Sequence, residues 1–275
     1  MAVFKNPIIL ISLLMLILFT VLALLQSNWK VVGITWIAFT SMAVSIPLGI
    51  RAAGQHRINR LIAGYGLASG AMIMSAAIFL APTAISHHPV YGGVGIATGI
   101  IIGFAIHTLN HGLTHTTSML DSVVLELTLH ALAAGLIIGI VYAAMPELGI
   151  LLGLAIISHK APAGYAAARR LTLSGKSAGY ILLPAAAVGL TALPVSLLNI
   201  PGTAIVNALI FGFATGVFFH VAIDFLPECE VGGNIHRETD LDHEDHHELD
   251  RYRRGAVIYT IIGGLIVFLA WYVNY

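Results

Sequence analysis

The sequence is poor in charge and almost without cysteine. Asp, Glu, Lys and Arg make up 9% of its 275 residues, whereas about a quarter of an ordinary soluble domain is charged. This shortage excludes a water-soluble globular protein. Cys229 is the only cysteine, which excludes both an intrachain disulfide and a thiolate cage for a metal ion.

Apolar residues take the place of the missing charge. They make up 58% of the chain and give it a mean hydropathy of +0.91. A helix needs roughly 20 apolar residues to cross a membrane. We predict nine such spans, at 7–26, 31–50, 60–82, 89–109, 121–143, 147–168, 177–197, 202–226 and 255–274. The predicted fold class is an all-α polytopic membrane protein, with 1–275 as a single transmembrane domain.

The first apolar run follows Lys5, as the core of a signal peptide would. However, Leu24-Leu25-Gln26 lacks the small residues of a cleavage site, and the run is long. We therefore interpret 7–26 as a retained transmembrane helix.

The basic residues predict an orientation. All but two lie in segments that nine spans leave on one side of the membrane: Lys5, Arg51, Arg57, Arg60, Arg169, Arg170, Lys176, Arg237, Arg251, Arg253 and Arg254. Lys30 falls on the other side, and Lys160 falls within a span. Because basic loops stay in the cytoplasm, we expect a cytoplasmic N-terminus and an external C-terminus in a cell (inner) membrane.

The longest polar stretch, 227–254, is acidic and contains His236, His243, His246 and His247. The topology makes it a cytoplasmic loop, and its composition is typical of a flexible segment. It either accepts or senses released ions, or it is an ordinary solvated loop.

Glycines recur four positions apart within the spans. These are Gly66/Gly70, Gly95/Gly99/Gly103, Gly135/Gly139, Gly149/Gly153 and Gly212/Gly216. Small residues at this spacing let helix backbones approach closely in lipid. We expect a tightly packed bundle, whose glycine-rich faces permit a homodimer without requiring one.

Two apolar segments share one skeleton: His130-Ala-Leu-Ala-Ala-Gly135 and His159-Lys-Ala-Pro-Ala-Gly164. An imidazole at bilayer depth is unfavourable unless it faces a partner, a cavity or a transported species. Two histidines in matched positions on successive helices predict one shared site. The simpler alternative is that each bridges two helices by hydrogen bonds.

Acidic and imidazole groups continue from this depth towards the cytoplasm. Glu126 lies one turn from His130 on the same helical face, and His220 and Asp224 are one turn apart near the end of the eighth span. Imidazole and carboxylate together suit zinc and similar ions, so we predict a metal pathway. Glu126 alone could merely pair with a cation.

Backbone and sulfur atoms add further candidate ligands. Pro162 removes a helical donor and so frees a carbonyl beside His159. Met72 and Met74 offer soft thioether contacts, although core filling is the more ordinary role of methionine.

Three histidines at helical spacing begin at the end of the fourth span: His107, His111 and His115. At i, i+4 and i+8 they would share the helical face typical of histidine metal sites, although Gly112 weakens the helix. They are either a cytoplasmic acceptor for ions or a solvated loop. On the outer side, His87-His88 is a weak candidate for the first contact with an incoming ion.

The two histidine motifs resemble those of the ZIP (Zrt/Irt-like) family of divalent-metal transporters. Family members carry His-Asn-x-Pro-Glu-Gly or similar in the fourth helix and His-Glu-x-Pro-Glu-Gly or similar in the fifth. His130 and Gly135 match the first motif. His159, Pro162 and Gly164 match the second.

Two other segments add to the resemblance. Ser69-Gly70-Ala71-Met72, followed by Pro82, is similar to the family's second helix, and Gly216-Val-Phe-Phe-His-Val-Ala-Ile-Asp-Phe-Leu-Pro-Glu228 to the end of its seventh. The resemblance covers 31–275, with 7–26 as an extra helix. It implies an eight-helix core with an inverted repeat of its first and last three helices. It also implies elevator-like alternating access and a binuclear metal site between the fourth and fifth helices.

The chain departs from the family at the metal ligands. Ala131 and Ala134 stand where Asn and Glu are typical, and Lys160 and Ala163 stand where two acids are typical. Without bridging carboxylates we expect at most one metal ion, bound more weakly than in typical members. The Lys160 ammonium either occupies the space of the second ion or titrates during transport.

Three functions remain open from the sequence. The leading one is a transporter that carries a divalent metal ion into the cytoplasm, with zinc as the expected substrate and iron, manganese, cobalt or cadmium as relatives. The second is a ZIP-like protein that has lost metal transport and moves another solute or regulates a partner. A remote third is an intramembrane zinc hydrolase, which the dissimilar depths of the histidines disfavour. We expect no enzyme activity and no nucleic-acid partner.

Overall fold

The computed structural model of the protein describes residues 6–53, 58–114, 122–145, 153, 159–198, 203–230 and 246–274. These residues form helices, turns and short connections, and no strand occurs among them. The predicted all-α class is confirmed.

Ten α-helices follow one another in the described part of the chain. They are α1 (Pro7–Leu25), α2 (Trp29–Ala52), α3 (Ile58–Ser75), α4 (Ala81–His87), α5 (Pro89–Thr114), α6 (Ser122–Ala144), α7 (Lys160–Leu173), α8 (Leu182–Val195), α9 (Ala204–Glu230) and α10 (His246–Asn274). A π-helical turn, Ala76–Leu80, joins α3 to α4, and a 3-10 turn, Ala178–Ile181, leads into α8.

Seven helical segments among these residues are long and apolar enough to cross a membrane. They are Pro7–Leu25, Trp29–Ala52, Ile62–His87, Val123–Ala144, Ala178–Val195, Ala204–Ile223 and Asp250–Val273. A shorter apolar stretch, Pro89–Ala105, lies in α5. The protein is therefore a multi-pass helical membrane protein, as predicted. Most of 147–158, the first part of the sixth predicted span, lies outside the described residues.

The helices pack as two bundles. Bundle A contains α1, α2, α6, α7 and α8, with its closest packing between α2 and α7 and between α6 and α8. Bundle B contains α3, α4, α5, α9 and α10, with its closest packing between α3 and α10 and between α5 and α9. Fewer contacts join the bundles, chiefly α3 with α7 and α6 with α9.

Glycines create the closest approaches, as their spacing predicted. A Cβ added at Gly95 would lie 3.0 Å from the Cα of Gly212, and one added at Gly99 would lie 3.0 Å from the Cα of Gly216. Because residue numbers increase in both helices from one contact to the next, α5 and α9 run parallel. Gly149 lies outside the described residues.

Helix α1 belongs to bundle A. Leu16, which is 1% exposed, packs on Gly189 of α8. The Trp36 indole N–H of α2 donates to the Thr20 hydroxyl of α1 over 3.1 Å. The segment predicted as an extra span is thus a packed helix of the bundle.

Candidate functional site

His130 and His159 meet between α6 and α7. Their Nε2 atoms are 3.1 Å apart, and their ring centroids are 5.2 Å apart at an interplanar angle of 66°. His159 immediately precedes α7 and is 2% exposed, while His130 is partly buried within α6. The structure therefore brings together the two histidines of the repeated motif.

Small residues fix the helix that carries His130. Gly135 lies against the Val188 carbonyl and the Thr191 side chain of α8. The Thr191 hydroxyl also donates to the Leu132 carbonyl over 2.8 Å. The α6 backbone is thus held directly against α8 within one turn of the imidazole.

A matching contact fixes the helix that follows His159. Gly164 of α7 packs on Met42 and Ser45 of α2, and a Cβ added at Gly164 would lie 2.8 Å from the Met42 Cγ. The glycine at the fifth position after each histidine therefore faces the helix partner that holds the motif in place.

A small cavity lies beside the two imidazoles, at the junction of the bundles. The described residues that line it are Met72, His130, Ala133, Ala134, Ile137, His159, Val217, Phe218 and Val221. Its volume is about 20 Å³, which is enough for a water molecule or an ion. Bundle A contributes both histidines, and bundle B contributes the opposite wall.

The separation of the two nitrogens suits a single metal ion. Two imidazole nitrogens bound at about 2.0–2.1 Å in a tetrahedral site lie about 3.3 Å apart, close to the observed 3.1 Å. The same distance fits a hydrogen bond in which one neutral ring donates to the other. Among the described residues, no three His, Cys, Asp or Glu side chains come together as a metal cluster.

Lys160 lies next to this pair and is 1% exposed. Its Nζ has no hydrogen-bond partner within the described part of the chain. A buried charge without partners is strongly unfavourable. A buried amino group therefore accompanies the two imidazoles.

Met72 lines the cavity, but Met74 does not. Met72 is 1% exposed, whereas the methyl group of Met74 lies beside Gly264 of α10. The sequence indicates the position of Met74, because Met74 continues the four-residue spacing of Gly66 and Gly70. Both glycines pack on α10. Met72 is thus the thioether at the site, and Met74 is part of a helix contact.

His220 is not in the wall of the cavity. Its ring packs over Gly103 of α5 and stands edge-on to Phe104, with centroids 6.4 Å apart. It continues the spacing of Gly212 and Gly216, which also face α5.

The structure describes less of the remaining candidates. Glu126, His107, His111 and Asp224 lie in helices, but their side chains are outside the described part of the chain, and so is all of His115. Pro162 lies in the first turn of α7, where a missing N–H is tolerated, and it packs near Gly64 of α3.

The two outer histidines lie where α4 meets α5. The His87 ring stacks on Phe211, with centroids 6.2 Å apart, and the His88 ring lies beside Tyr91 at 4.8 Å. Neither is among the described residues that line the cavity.

Comparison with known proteins adds no identification. No protein-family model matches this chain, and no curated protein matches it.

Proposed function

We propose that this protein is a membrane transporter that moves divalent transition-metal ions, zinc or a similar ion, into the cytoplasm through the His130/His159 site. The observation that carries the proposal is the 3.1 Å approach of two Nε2 atoms from neighbouring helices beside a cavity between two bundles. Imidazole is a common ligand for such ions.

The position of the cavity favours transport over a fixed structural ion. Both histidines belong to bundle A, while Val217, Phe218 and Val221 belong to bundle B. A movement of one bundle against the other would expose the imidazoles first to one side of the membrane and then to the other. The resemblance to the ZIP family implies the same kind of alternating access.

The side chains present support one ion rather than two. Ala131, Ala134, Lys160 and Ala163 occupy the positions at which the resemblance implies polar or acidic ligands. Two neutral imidazoles supply no negative charge, and Lys160 in its charged form would repel a cation. We therefore expect one ion per chain, bound more weakly than at a carboxylate-bridged site.

Glu126, Asp224, His107, His111 and His115 are proposed to receive the ion on its way to the cytoplasm. The first four lie on helices that extend beyond the cavity, α5, α6 and α9. Carboxylates along this path would attract a dication away from the neutral imidazoles.

Uptake into proteoliposomes tests the proposal. Reconstituted protein should carry zinc, or one of iron, manganese, cobalt and cadmium, above the level of empty vesicles. The His130→Ala/His159→Ala protein should lose this uptake. Thr40→Ala is the control, because Thr40 is exposed on α2 and is not among the described residues that line the cavity. If none of the five ions enters, the ZIP-like protein without metal transport becomes the better hypothesis.

A further inference from the structure

The described donors around the cavity are neutral and include a sulfur atom. Two imidazoles face one another, and Met72 contributes a thioether to the same wall. The other described lining residues are aliphatic or aromatic. Thioether sulfur selects soft ions, Cu(I) above all among biological metals, and imidazole accepts copper as readily as zinc.

The kind of donor points the same way. Zinc in proteins is bound by Cys, His, Asp and Glu, and methionine is not among these ligands. The cavity offers three described donors, two nitrogens and one sulfur. Three-fold planar binding at about 2.0–2.1 Å would place the nitrogens about 3.5 Å apart. This requires only a small opening from 3.1 Å.

We propose that this site holds a soft univalent ion, Cu(I), in preference to Zn²⁺. His130, His159 and Met72 supply the three ligands. This inference rests on the proposed function for the site and for metal transport, and it replaces the divalent ion named there by a univalent one.

Binding to the purified protein in detergent tests the inference, with Ag⁺ as a probe of Cu(I) that does not change its oxidation state. The four loop histidines are replaced by alanine in every sample, at positions 236, 243, 246 and 247. We expect one Ag⁺ per chain, bound at least 10-fold more tightly than Zn²⁺. Equal or tighter binding of Zn²⁺ overturns the proposal.

Two methionines on one helix provide a matched pair. Met72→Leu removes the thioether from the cavity and should weaken Ag⁺ binding at least 10-fold, with less than a 3-fold effect on Zn²⁺. Met74→Leu, in the contact with α10, should leave Ag⁺ affinity unchanged. Equal effects of the two substitutions contradict the assignment of Met72 as a ligand.

The outcomes separate this inference from the proposed function. Zinc uptake without a preference for Ag⁺ overturns the choice of ion and leaves metal transport standing. Tight Ag⁺ binding without uptake of any metal ion into proteoliposomes supports the site and contradicts transport.

Discussion

The Nε2 atoms of His130 and His159 lie 3.1 Å apart, although 29 positions separate the two residues in the chain. One belongs to α6, and the other stands at the start of α7. Because the cavity beside them is closed on its far side by α3 and α9 of bundle B, their surroundings depend on how the two bundles meet.

A carboxylate placed in the cavity should strengthen the binding of a divalent ion. Ala134 lines the cavity and stands where the ZIP resemblance implies Glu. Ala134→Glu should tighten Zn²⁺ binding about 10- to 100-fold, since an interaction with a charged group contributes about 1.5–3 kcal/mol. Titration calorimetry measures the change.

The control for that experiment is Ala134→Gln, which has a similar size and no charge. We expect it to bind Zn²⁺ no better than the unchanged protein. A gain as large for Gln as for Glu would show that the charge at 134 is irrelevant, and the charge-poor description of the site would then be wrong.

The contact between α5 and α9 should not tolerate a side chain. A Cβ at Gly99 would meet the Gly216 Cα at 3.0 Å and the Val217 nitrogen at 3.0 Å, both on the helix backbone. Gly99→Leu should therefore separate the helices and destabilise the protein by about 1–3 kcal/mol or more. Thermal unfolding in detergent measures the loss.

Gly93 is the matched position on the same helix. Nothing lies within 4 Å of a Cβ added there, so Gly93→Leu should leave the unfolding temperature nearly unchanged. Similar losses for both substitutions would contradict the described packing of α5.

The predicted orientation can be tested with single cysteines. In a Cys229→Ser protein, cysteines are introduced at Gln26, between α1 and α2, and at Ser177, after α7. Both residues are exposed. Because Arg169, Arg170 and Lys176 mark the second loop as cytoplasmic, an impermeant thiol reagent should modify position 26 only from outside and position 177 only from inside. The reverse pattern would invert the proposed direction of transport.

Much of the fold follows from sequence because the bilayer imposes simple rules. Long apolar runs become helices, and glycines four apart become close contacts, as Gly95 and Gly99 do against α9. The division into two bundles is not visible in the sequence. It depends on which helix faces pair between segments far apart in the chain. Apolar helices such as α5 and α6 have no distinct face in the sequence that would show which side contacts a neighbour.

The site was predictable only in part. The repeated motif identified His130 and His159, since polar groups at bilayer depth are rare. His220 was assigned to the pathway by its depth, and Met74 was a candidate because of its sulfur atom. Yet each continues a row of glycines, four residues apart, that faces a neighbouring helix. Depth orders residues along the membrane normal, whereas rotation about the helix axis decides what they contact.

The most direct measurement of the central claim is the zinc X-ray absorption spectrum of the protein loaded with one equivalent of Zn²⁺, with the four loop histidines replaced by alanine. We predict two imidazole nitrogens at about 2.0–2.1 Å, and we predict that this signature disappears in the His130→Ala/His159→Ala protein. An unchanged spectrum in the double variant would contradict the shared site.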